Sequence, residues 1–93
     1  MKIKLRINGE DKTFTAPFIS ARKLKDSFAL SKKVQGEFDE NTLDEVGNYL
    51  VNIYGNQFTL DQLYDGFPAD QFLSKAVEDM ERVMGVFDEK VKN

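Results

Sequence analysis

From Lys2 to Ile7 the chain alternates without a break, with Ile3, Leu5 and Ile7 on one face and Lys2, Lys4 and Arg6 on the other. A period of two is the mark of a half-buried strand. Asn8-Gly9 comes directly after, and both residues tolerate the positive φ of a tight hairpin turn. Lys12-Thr13-Phe14-Thr15-Ala16, rich in Thr and Phe, reads as the return strand. Glu10-Asp11 is placed to lengthen the turn, and Pro17, which has no ladder donor, closes the strand. The chain is therefore committed to an N-terminal hairpin over about residues 2–16. An isolated hairpin is marginal in water, so its apolar face must be covered by the rest of the chain or by another chain.

The remaining three quarters of the sequence has helical character. Ser20 is placed to cap a helix over about 20–34, with Ala21, Leu24, Phe28 and Ser31 on one side and Arg22, Lys23, Lys25, Lys32 and Lys33 over much of the rest. A polar connection, Gly36 to Asn41, carries Phe38 as an exposed aromatic. Thr42-Leu43-Asp44-Glu45 has the spacing of a capping box and opens a helix over about 42–54, with Leu43, Val46, Leu50, Ile53 and Tyr54 on one face and Gly55 as its left-handed stop. Thr59-Leu60-Asp61-Gln62 is a second capping box, starting a short helix over about 59–65 that Gly66 ends. Pro68 suits the first turn of the last and longest helix, about 68–90. Its stripe is Ala69, Phe72, Leu73, Ala76, Val77, Met80, Val83, Met84, Phe87 and Val91. The expectation is one α+β domain over 1–93, a hairpin followed by three or four helices with the last one long.

Ninety-three residues with 41% hydrophobic content and eight Phe suffice for one core without staples. There is no Cys, His or Trp. A Ser-His or Cys-His nucleophile pair cannot be built, and the commonest metal ligands are missing. Adjacent acids occur at Asp39-Glu40, Asp44-Glu45, Glu78-Asp79 and Asp88-Glu89, but acids in sequence on helix faces do not converge across a cleft as general acid–base pairs must. Asp61, Asp65 and Asp70 do not match a calcium loop, and the scattered glycines form no phosphate-binding motif. Gly47 and Gly85 fall inside expected helices, which a close approach or a bend would explain. No catalytic residue, cofactor or metal is nominated. The basic start never leads into an apolar run, so neither a signal peptide nor a membrane span of roughly 20 apolar residues is expected.

Charge is strongly polarised. Met1 to Lys33 holds nine Lys/Arg against three acids, while the remainder holds four against thirteen, giving a formal −3 for the chain. Opposite charge at two ends favours head-to-tail contact between copies, which makes rings or open helical arrays. The candidate self-association residues are Lys4, Arg6, Arg22, Lys23 and Lys25 against Glu78, Asp79 and Glu81. Met84, Phe87 and Val91, near the end of the last helix, are candidates for receiving an apolar partner, since Met-containing surfaces adapt to varied shapes. With a pI near 4.9, nucleic acid is not an expected partner.

Three stretches carry a resemblance. They are Asn8-Gly9-Glu10-Asp11-Lys12-Thr13-Phe14-Thr15-Ala16-Pro17-Phe18, then Arg22-Lys23-Leu24, then Tyr54-Gly55-Asn56-Gln57-Phe58-Thr59-Leu60-Asp61-Gln62-Leu63-Tyr64-Asp65-Gly66. With them the chain resembles, over nearly its whole length, the small tail assembly chaperones of long-tailed phages and prophages of Gram-positive bacteria. The resemblance implies a non-enzymatic protein of the host cytoplasm, absent from the finished virion. Such a protein binds the tape measure protein and keeps it soluble, and it self-associates into spirals; some members also have a longer, frameshifted form. The competing expectation is an adaptor that binds one protein partner as a monomer or closed dimer.

Overall fold

The computed structural model describes residues 1–92, with side chains described through Gly85. Strands β1 (Lys2–Ile7) and β2 (Glu10–Thr15) form an antiparallel hairpin, and helices α1 (Ala21–Gln35), α2 (Glu40–Ile53), α3 (Leu60–Gly66) and α4 (Phe72–Lys92) come after it. A single 3-10 turn, Ala69–Gln71, leads into α4, the longest helix. The expected α+β order holds.

The turn is shorter than the sequence allowed. Ile7 pairs with Glu10, so only Asn8 and Gly9 are unpaired, both at positive φ (54° and 78°), and Glu10 and Asp11 belong to β2. Two residues at positive φ match the right-handed strand twist, which removes any need for a longer loop. Ile3 and Leu5 are buried, and their face lies against the helices. The sheet is pressed onto α3 through Gly66, where a Cβ would stand 2.6 Å from the Arg6 carbonyl oxygen. Gly66 is thus the last residue of α3 and its value lies in the backbone approach, with Phe67 as the C-cap.

Helix α2 is the central element and buries Val46, Tyr49, Leu50, Val51 and Ile53. Its N-cap is Asp39, whose Oδ1 accepts from both the backbone N–H and the hydroxyl of Thr42 at 3.0 and 3.1 Å. The expected Thr42 cap is corrected accordingly: the acid three residues earlier takes the position, and those bonds hold its carboxyl below the usual range. At α3 the expected box is present in full, Thr59 accepting from Gln62 N–H and Gln62 accepting from Thr59 N–H. Gly47 lets α3 close on α2, because a Cβ there would come within 2.5 Å of Leu60 Cδ1. No such neighbour surrounds Gly85. Pro68 precedes the 3-10 turn, and α4 itself starts only at Phe72.

Helix α1 departs most from expectation. Ser20 stands at its N-cap without a side-chain cap bond, and the helix buries Ser27 and Leu30. Leu24 and Phe28, which the spacing puts on its apolar side, are 36% and 49% exposed. The helix is rolled because Ser27 Oγ donates to the Lys23 carbonyl at 2.7 Å and shares a short hydrogen bond with the buried Tyr49 hydroxyl. A serine satisfied in this way can face the core, and two apolar side chains are turned outward.

Candidate interaction surface

Three of the acids weighed for chemistry, Asp39, Asp44 and Asp79, hold the fold, and the side chains of Asp88 and Glu89 lie outside the described residues. Asp79 is fully buried in α4; its Oδ2 accepts from Tyr54 Oη at 2.7 Å and its Oδ1 from Lys75 Nζ at 3.2 Å. Lys75 Nζ also donates to the Lys2 carbonyl at 2.6 Å, which ties α4 to the edge of β1. Burial and the adjacent carboxylate push the Tyr54 phenol well above its ordinary value. Tyr64 Oη donates to Asp44 Oδ1 at 2.5 Å, and burial followed by that bond pushes its phenol up to about 12. Asp39 caps α2. Among the described residues, no group of three or more acids is placed to hold a metal ion, and no helix is long and apolar enough to cross a membrane.

The self-association candidates separate into distinct sets. Arg22 and Lys25 stand exposed on the first turns of α1, with Lys23 half-buried between them. Lys4 and Arg6 lie elsewhere: they line a cleft with Asp11, Asp65 and Phe67, and Arg6 Nε approaches Asp11 at 3.5 Å. Lys4 and Arg6 thus face a cleft of mixed charge, and Arg6 is already engaged by Asp11. Glu78 and Glu81 are exposed on α4, Glu78 bonding Arg82 at 3.2 Å across one helical turn. Asp79 is a correction. Glu78 beside it faces solvent, but Asp79 is buried with its carboxylate on Tyr54, so it cannot serve as a surface contact. Met84 is half-buried against the core; the side chains of Phe87 and Val91 lie outside the described residues.

The exposed apolar side chains are the surface feature that charge patterning missed. Phe18, Leu24, Phe28, Phe38, Leu73 and Val77 are the large ones. Leu24 and Phe28 are one turn apart on α1 among Arg22 and Lys25. Leu73 and Val77 are one turn apart on α4, beside Glu78 and Glu81. Only Phe38 was read as exposed. Leu73 and Val77 flank the stripe of Phe72, Ala76 and Met80 that is buried; an apolar arc wider than the groove that receives it leaves its edge outside. Leu73 also lines an apolar groove of about 260 Å³ with Leu43, Tyr64, Phe67, Ala69 and Phe72. The pairs on α1 and α4, each one turn apart, are candidates for protein contact, since contiguous exposed apolar patches rimmed by polar residues mark such sites.

No curated protein and no solved structure matches the chain significantly. A family model described as phage tail chaperone protein matches residues 1–93. Its span takes in the hairpin, all four helices and the charged, apolar-studded faces of α1 and α4, so the chain belongs to the phage tail chaperone family.

Proposed function

We propose that this protein binds the tape measure protein, keeps that long polypeptide soluble in the host cytoplasm, and self-associates along it while the tail tube is assembled, itself leaving before the virion is complete. A long-tailed phage or prophage of a Gram-positive host is its proposed source. The observation that carries the reading is the pairing of exposed apolar side chains with charge of opposite sign on α1 and α4. Leu24 and Phe28 stand among bases, Leu73 and Val77 beside acids. Membership of the tail chaperone family supports a non-enzymatic assembly role.

In this reading Arg22, Lys23 and Lys25 of one copy approach Glu78 and Glu81 of the next, and Lys4 and Arg6 contribute separately from their own cleft. The apolar surface that remains, including Met84 and the more distal Phe87 and Val91, receives the tape measure. Many weak sites along an array give avidity without one tight contact. Co-expression with a tape measure fragment tests this: the wild-type chain should raise the soluble fraction of the fragment several-fold, and Leu24→Glu with Phe28→Glu should remove most of that gain. A fragment equally soluble with and without the chain would overturn the proposal. Sedimentation at rising concentration should show open-ended growth, whereas a plateau at one or two chains would favour the single-partner adaptor.

A further inference from the structure

Phe18 lies in the connection between β2 and α1 and is 92% exposed. Its place is set by Pro17, which packs on Gly55: a Cβ on that glycine would come within 2.9 Å of Pro17 Cγ. The aromatic ring is thus presented from a braced loop at the C-terminal end of α2. An aromatic held in water in this way forgoes the gain that burial would bring.

The groove lined by Leu43, Tyr64, Phe67, Ala69, Phe72 and Leu73 lies at the other end of α2 and measures about 260 Å³. That is below the roughly 300–1,000 Å³ of small-molecule pockets, a size for one aromatic side chain and not for a whole helix. Its walls already include an aromatic series, with Tyr64 and Phe72 centroids 5.8 Å apart and Phe67 and Phe72 6.4 Å apart. Leu43 and Ile53, near the two ends of α2, are ten positions apart, a separation of about 15 Å at the helical rise. Phe18 is not among the residues that line the groove of its own chain.

Charge distinguishes the two patches. Phe18 is followed by Arg22, Lys23 and Lys25, whereas the exposed Asp65 and Asp70 adjoin groove residues in sequence, Asp65 also lining the neighbouring cleft; Asp44 is already bonded by Tyr64. The nearest bases on the groove side, Lys4 and Arg6, line the neighbouring cleft beyond Phe67, and Arg6 is engaged by Asp11.

We propose that Phe18 of one copy seats in the Leu43–Tyr64–Phe67–Phe72–Leu73 groove of the next, with the basic start of α1 over its acidic rim. The proposal rests on the self-association proposed for this chain and names the contact that would produce it. Knob and socket are different patches, so the contact is heterologous and propagates as a ring or an open helix.

Sedimentation of wild type, Phe18→Ser and Leu73→Arg separates the outcomes. Phe18 is outside the core, so its replacement should leave the far-UV circular dichroism and thermal midpoint unchanged while weakening self-association at least about tenfold. Leu73→Arg blocks the socket and places a base against the incoming bases. Each variant alone should sediment as a monomer, and an equimolar mixture should form a one-to-one pair and stop, because one variant keeps a socket and the other a knob. If wild type assembles and Phe18→Ser assembles equally well, the knob-and-socket contact is wrong while self-association stands. If wild type stays monomeric at every concentration, both fall.

Discussion

Asp79 shows how much can rest on one side chain. A fully buried carboxylate is costly unless its charge is compensated, and here Tyr54 and Lys75 supply the compensation. Removing one partner of a buried pair leaves the other stranded, so Asp79→Ala should cost about 3 kcal/mol in urea unfolding. Tyr54→Phe, which removes one donor and keeps the ring, should cost only about 1–2 kcal/mol. The phenols predict an alkaline limit as well. Tyr54 and Tyr64 have folded values above the unfolded value of about 10, so the fold favours their protonated forms. Their contribution is complete below pH of about 10 and is lost as pH rises through the folded values. For Tyr64 that window runs from about 10 to about 12. Unfolding midpoints measured across it should fall for wild type and fall less steeply for Tyr64→Phe. None of these bonds was legible in the sequence. Glu78-Asp79 reads as two exposed acids, because no local rule states that one of the pair meets a tyrosine 25 positions away.

At the scale of elements, contacts between backbones decide which glycines matter. Gly66→Ala would drive a methyl into the Arg6 carbonyl, and main chain cannot move aside as a side chain can. It should cost about 1–3 kcal/mol, more than Gly47→Ala, whose obstacle is the flexible end of Leu60. Gly85→Ala meets nothing within 4 Å and should stabilise by up to about 1 kcal/mol through helix propensity. Thermal or urea midpoints of the three would rank them. Capping obeys the same logic: Asp39→Ala should lower the unfolding midpoint, since the carboxylate satisfies the first-turn donor. The hairpin and the Thr59 capping box were legible because they depend on residues a few positions apart. The roll of α1 was not, because it turns on Ser27 meeting Tyr49 across the interior. Helical spacing alone groups Leu24 and Phe28 on one side of α1 and does not say whether that side faces the core.

For the molecule as a whole, polarised charge would make the proposed self-association sensitive to salt. Exposed charges attract across about 8–10 Å at ordinary ionic strength and are screened beyond it. Replacing Arg22, Lys23 and Lys25 by Glu should reduce light scattering by self-associated protein at low salt, with a smaller difference at high salt. Equal scattering under both conditions would remove electrostatics from the account. Lys4 and Arg6 should contribute less to the same measurement, since Asp11 and Asp65 stand beside them.

Local chemistry written into the chain was enough for the hairpin, the helical order and the family: alternation, turn residues and caps act between neighbours and need no distant partner. Which apolar side chains reach solvent, which acid is buried and where the basic residues gather were settled only when helices packed against one another. Those outcomes depend on shape and hydrogen-bond partners brought from far along the chain, and an apolar stripe in sequence does not state how wide a groove will receive it.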